Sequence, residues 1–100
     1  MAQDTLRIDI WLWRARFFKT RALAAKFVDD GRVRRNDARL DKPSRTVREG
    51  DHLLFAISGR IFSLIINDLG DRRGPASEAQ ALYRIPDIDL SDAELKKTPR

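Results

Sequence analysis

Lys19-Thr20-Arg21-Ala22-Leu23-Ala24-Ala25-Lys26-Phe27-Val28-Asp29-Asp30-Gly31-Arg32-Val33-Arg34-Arg35-Asn36 is the stretch in which the apolar period changes. Leu23, Ala24, Phe27 and Val28 recur at helical spacing. Thr20 offers a side-chain oxygen where a helix start leaves N–H groups without acceptors. Gly31 suits the left-handed residue just past a helix end. The spacing predicts a helix over 21–29. Beyond Gly31, strand alternation buries Val33 and turns Arg32 and Arg34 outward. Arg35 then falls on an inward position, so it should sit at a sheet edge or break the pattern.

Upstream, Ile8, Trp11, Leu12 and Ala15 share one face of a first helix within residues 6–18. Asp9 falls in its first turn, where a negative charge suits the helix dipole. The link to the second helix is short, so the two pack together. Trp11 and Phe17 read as core; Trp13 is the best candidate for an exposed aromatic. Downstream, short apolar runs are divided by Asn36-Asp37, Lys42-Pro43-Ser44, Glu49-Gly50-Asp51 and Ser58-Gly59. His52–Ile57 and Arg60–Ile66 read as a hairpin around Ser58-Gly59. Pro75 suits the start of a third helix over 75–84. The expected fold class is α+β: two N-terminal helices on a small, mostly antiparallel sheet of four to five strands, with a short C-terminal helix. Residues 1–86 form one domain in this reading. Residues 87–100 form a polar tail, disordered or partly helical.

Charge is distributed unevenly. The 100 residues carry a net charge of +5. Residues 7–48 hold thirteen basic residues, mostly arginine, against five acids; residues 49–100 hold seven against nine. A basic half points to a polyanionic partner, nucleic acid above all. Cysteine is absent and His52 is the one histidine. That inventory leaves no thiolate chemistry, no histidine metal cluster and no nucleophile–base pair, so no enzyme activity, metal or cofactor is expected. Asp29-Asp30 and Asp41 do not match a calcium-loop spacing. No apolar run reaches the roughly 18–20 residues of a membrane span, and the first residues do not read as a signal peptide. A soluble, cytoplasmic monomer with no membrane partner is expected.

The candidate contacts follow from the basic half. Lys19, Thr20 and Arg21 sit where a helix N-terminus offers free N–H groups to phosphate. Arg32 and Arg34 project from the strand that follows, and Arg7, Arg14 and Arg45 complete a rim if the helices fold over the sheet.

Five linked blocks now resemble the S4 RNA-binding domain family: Arg7-Ile8-Asp9-Ile10-Trp11-Leu12-Trp13; Phe17 to Ala24; Gly31-Arg32-Val33-Arg34-Arg35-Asn36; Lys42-Pro43-Ser44; and Gly50-Asp51. Trp11-Leu12-Trp13, Asp71-Arg72-Arg73-Gly74-Pro75-Ala76, Glu78-Ala79-Gln80 and Leu82-Tyr83 are similar to its heat shock protein 15 group. The resemblance implies an S4-type αL fold, an L-shaped RNA-binding surface on a twisted sheet, and no catalysis. It implies partners: ribosomal RNA and tRNA on free large ribosomal subunits that still carry a nascent chain, whose recycling the group aids. It implies RNA-facing residues at Arg7, Lys19, Thr20, Arg21, Arg32, Arg34, Asn36, Lys42, Ser44 and Arg45. Three positions depart from the pattern. Asp37 replaces a glycine, Arg35 replaces a β-branched residue and either weakens the sheet edge or adds a phosphate contact, and Ile10 replaces a lysine. Alternative readings are an S4-domain regulator of another structured RNA, or an accessory subunit of an RNA-modifying enzyme. Duplex DNA is a weaker ligand, since no recognition helix with a dimerisation element is evident.

Overall fold

The computed structural model describes residues 4–86. The chain runs β1 (Leu6–Arg7), α1 (Ile8–Arg14), α2 (Arg21–Asp29), β2 (Val33–Arg35), β3 (Ala38–Leu40), β4 (Thr46–Val47), β5 (His52–Ile57), β6 (Arg60–Ile66), α3 (Ala76–Gln80) and β7 (Tyr83–Arg84). Five strands form one antiparallel sheet in the order β3-β2-β5-β6-β7, and β1 pairs with β4 as a separate ribbon. The α+β class and the β5–β6 hairpin are as the sequence indicates; the ribbon is additional.

α2 occupies the predicted span. Thr20 Oγ1 accepts a hydrogen bond from the Leu23 N–H at 3.1 Å, and Gly31 closes the helix at φ +75°, a conformation that costs glycine nothing. α1 begins differently. No side chain caps it by the usual route; instead the Ile8 N–H donates to the Arg45 carbonyl at 2.8 Å and the Asp9 N–H reaches that of Pro43 at 3.5 Å. A turn distant in sequence thereby satisfies two orphan donors. α1 ends at Arg14, and Arg16 takes a left-handed φ of 64°.

Both helices bury one face against the inner side of the sheet. Ile8, Trp11, Leu12, Ala24 and Val28 meet Val33, Leu53, Leu64 and Ile66, all essentially inaccessible to water. Full burial of each large side chain contributes roughly 1.5–3 kcal/mol. Phe17 is the hub of the aromatic packing, with Phe55, Phe62 and Tyr83 rings about 5 Å from its own. The Trp11 indole N–H is satisfied by the Asp68 carbonyl at 3.0 Å.

Three local expectations change. Leu23 is 51% exposed, because the Phe18 ring packs on Phe27 at 4.9 Å and narrows the buried stripe to Ala24, Phe27 and Val28. The third helix covers only Ala76–Gln80: Tyr83 packs on Trp11 and Phe17, and that contact draws Tyr83–Arg84 into the sheet beside β6. Trp13 is half-buried beneath the Arg73 guanidinium, 5.9 Å from its ring centre, so it does not stand open. The tail expected over 87–100 lies outside the described residues. No helix among them is long and apolar enough to cross a membrane.

Candidate nucleic-acid interface

The sequence-predicted residues gather in three places. The first is the start of α2, where Lys19, Thr20 and Arg21 are exposed. Thr20 spends one lone pair on its own helix and keeps a hydroxyl proton to donate. Lys19 and Arg21 make no ion pair among the described residues.

The second place is the β1–β4 ribbon. Arg7 grips Asp9 with both arms of its fork, Nε to Oδ1 at 3.1 Å and Nη2 to Oδ2 at 2.9 Å. Asp9 is 2% exposed, and its Oδ1 also accepts the Ile10 N–H at 2.8 Å. The pair fixes Arg7 in direction while its side chain stays 45% exposed. Because the 43–45 turn caps α1, Lys42, Ser44 and Arg45 are carried to the same end of the molecule, all exposed. Arg45 meets Asp41 at 3.5 Å in a solvated pair, worth little against water. Arg35 is not at a sheet edge. It lies in β2, between β3 and β5, and its guanidinium donates to the Thr46 carbonyl. It thereby ties the sheet to the ribbon.

The third place is the outer face of the sheet. Val33 is buried, and Arg32 and Arg34 are exposed, as alternation requires. The register sets Arg34 directly across from Arg39, a residue missed in the sequence. Its signal was there: Leu40 faces the core, so its neighbour faces out. Asn36 is turned to internal use. Its amide donates to Asp51 Oδ1 at 3.1 Å, and its Oδ1 accepts from the His52 N–H at 2.9 Å. It therefore fixes the β2–β3 turn against β5. Asn36 and Asp37 both take positive φ, 51° and 70°, as a two-residue type I′ hairpin turn demands.

Arg14 does not join the rim. Its Nη1 donates to the Gly70 carbonyl at 2.7 Å and approaches that of Leu69 at 3.5 Å, and its Nε is buried. It braces α1 against the 68–74 loop. Two residues to which the sequence assigned no contact work with it. Arg16 Nε donates to the Gly74 carbonyl at 2.6 Å. Arg73 donates to the carbonyls of Trp13, at 3.1 Å, and Phe18, at 3.4 Å. The elbow between the helices is thus clamped from behind, and Lys19-Thr20-Arg21 follows directly on it. Periodicity carries no signal for such contacts across the chain. Among the described residues no group of acids and histidine is placed to hold a metal.

The arrangement offers exposed arginine forks, a helix start and a positive sheet face, the chemistry that suits phosphate. Comparison with known proteins agrees with this architecture. The S4 domain model matches residues 6–53, from β1 to the start of β5. Heat shock protein 15 of Escherichia coli K12 is 41% identical over 78 residues, covering 78% of this chain and 58% of the relative. A homolog of it from Haemophilus influenzae is 39% identical over 94 residues, covering 94% of this chain and 71% of the relative. A trimeric structure of Vibrio cholerae heat shock protein 15 superposes with a TM-score of 0.79 at 38% identity, over 90% of each chain. The chain spans little more than half the length of the E. coli relative. With that identity carried across most of its residues and the same fold beneath it, the chain belongs to the heat shock protein 15 family of S4-domain proteins.

Proposed function

We propose that this protein, an RNA-binding protein of the heat shock protein 15 type, acts on free large ribosomal subunits that still carry a nascent chain on tRNA. It grips ribosomal RNA and tRNA through phosphate and helps return stalled particles to use. Arg7, Lys19, Thr20, Arg21, Arg32, Arg34, Lys42, Ser44 and Arg45 supply the contacts, with Arg39 added. Arg35 and Asn36 hold the hairpin that presents them. The observation that carries the reading is the outward pair Arg34 and Arg39, set opposite each other on neighbouring strands with no carboxylate paired to either among the described residues. Such a pair is unfavourable alone and favourable around a phosphate. No step in this role needs a catalytic group or a cofactor, and the setting is the cytoplasm.

Sucrose-gradient sedimentation of cell extract tests it. Co-migration with free large subunits, lost as salt rises, is the expected result. Absence from every ribosomal peak overturns the ribosomal assignment. The binding unit in this reading is one chain; sedimentation of the pure protein, set against the trimer described for the Vibrio cholerae relative, checks that point.

A further inference from the structure

We propose that the groove beside Arg32 seats an unpaired nucleobase, so that the preferred ligand is folded RNA with an extruded nucleotide and not an uninterrupted helix. The inference rests on the RNA-binding reading above and adds a recognition element to it. Two shallow depressions meet at Arg32. One, of about 350 Å³, includes Arg34, Leu54, Ala56 and Ile61. The other, of about 210 Å³, includes Leu23, Lys26 and Asp30.

The floor is already prepared for a flat ligand. The Arg32 guanidinium lies 4.5 Å above the centre of the Phe27 ring. Phe27 is held in turn by Phe18 and Phe55, at 4.9 and 6.2 Å. The guanidinium is thereby held on an aromatic pedestal while Arg32 remains exposed. Guanidinium planes stack unpaired bases in this way. Arg32 makes no hydrogen bond or ion pair among the described residues, so its in-plane donors remain for a base edge or a phosphate.

The rim supports the same occupant. Ile61, in the first depression, is 77% exposed, apolar surface that a base beside Arg32 would cover. Lys26, Arg32 and Arg34 stand against Asp30, which Lys26 approaches at 4.0 Å, so the groove is net positive and fits a phosphodiester chain. An uninterrupted duplex keeps its bases stacked and cannot offer one to this recess.

The test uses two RNA hairpins of equal length and charge, one fully paired and one with a single bulged adenosine, titrated at matched salt. The bulged hairpin should bind roughly tenfold tighter, in the range seen for single stacked bases, and should alone shift the Ile61 methyl resonance. Arg32→Lys keeps the charge and loses the plane, so it should abolish the preference, bringing the affinities for the two hairpins within about twofold of each other. Ile61→Ser, at an exposed site, should reduce the preference about threefold. Equal binding of both hairpins by the native chain, with Ile61 unmoved, overturns the base seat and leaves RNA binding standing. Binding of neither hairpin overturns both readings. An Ile61 shift that follows protein concentration without RNA shows the groove covered by a second copy and overturns the proposal.

Discussion

Arg34 and Arg39 face each other across the β2–β3 hairpin, on the side of the sheet turned away from the core. Like charges directly opposite destabilise a strand pair. Arg34 reaches only the carbonyl of Asp37 in its own turn, at 3.3 Å, and the Arg39 side chain lies over Gly31. Arg39→Glu converts the repulsion into a cross-strand ion pair. It should raise stability in urea unfolding by roughly 0.2–1 kcal/mol while weakening RNA binding and lowering the steepness of its salt dependence by about one unit. Opposite signs in the two measurements are the signature of a pair kept for its ligand. A variant that loses both stability and binding points to an ordinary structural role.

Arg21 and Arg34 lie on different elements and are both exposed. Replacing both by Glu should leave the circular dichroism spectrum close to that of the native chain and the unfolding midpoint no lower, since the new carboxylate at position 34 faces Arg39. RNA affinity should fall by at least about tenfold, since two attractive phosphate contacts become repulsive. For the native protein, about six phosphate contacts give a log–log salt slope of roughly −4 to −5. Normal RNA binding by the double variant would remove the helix start and the sheet face from the interface.

Arg73 joins the 68–74 loop to the elbow between α1 and α2 through the carbonyls of Trp13 and Phe18, and it covers the Trp13 ring. Arg73→Ala removes two hydrogen bonds and a cation–π contact, a loss of about 1–2 kcal/mol by denaturant unfolding. Trp13 becomes more hydrated, so tryptophan emission should move to the red. RNA affinity should fall too, because Lys19-Thr20-Arg21 is no longer held in place. Unchanged affinity in a folded Arg73→Ala protein would show that the elbow keeps its shape unaided.

Local chemistry made much of this molecule legible in the sequence. The Thr20 cap, the left-handed Gly31 and the Ser58-Gly59 hairpin each depend on neighbours within a few residues, and the structure has them as read. Contacts between distant segments left no periodic trace. The 43–45 turn capping α1, Arg14 spent on the 68–74 loop, and Arg35 bridging to Thr46 are of that kind. So is Tyr83, which the helix expected over 75–84 took in and aromatic packing draws into β7. The candidate interface divides likewise. Exposure of Arg32 and Arg34 follows from alternation, whereas the use of Asn36 as a latch requires knowing that β5 lies beside it.

The two residues of the β2–β3 turn share a left-handed backbone and differ in what their side chains do. Asp37, at φ 70°, is exposed and makes no side-chain hydrogen bond or ion pair among the described residues. Asn36, at φ 51°, holds the turn to Asp51 and His52. A Cβ in this region of backbone space carries a steric cost that aspartate and asparagine only partly escape. Asp37→Gly should therefore stabilise the protein by about 0.5 kcal/mol, a rise of roughly 2–4 °C in Tm. It should also tighten RNA binding by removing an acid beside Arg34. Asn36→Gly relieves the same cost but gives up two hydrogen bonds, so it should lose about 1–2 kcal/mol. Thermal melts of the two variants, with an RNA titration of Asp37→Gly, decide the matter. If both glycines stabilise, the Asn36 latch contributes nothing; if both destabilise, the departure at Asp37 serves the turn in a way that backbone strain does not describe.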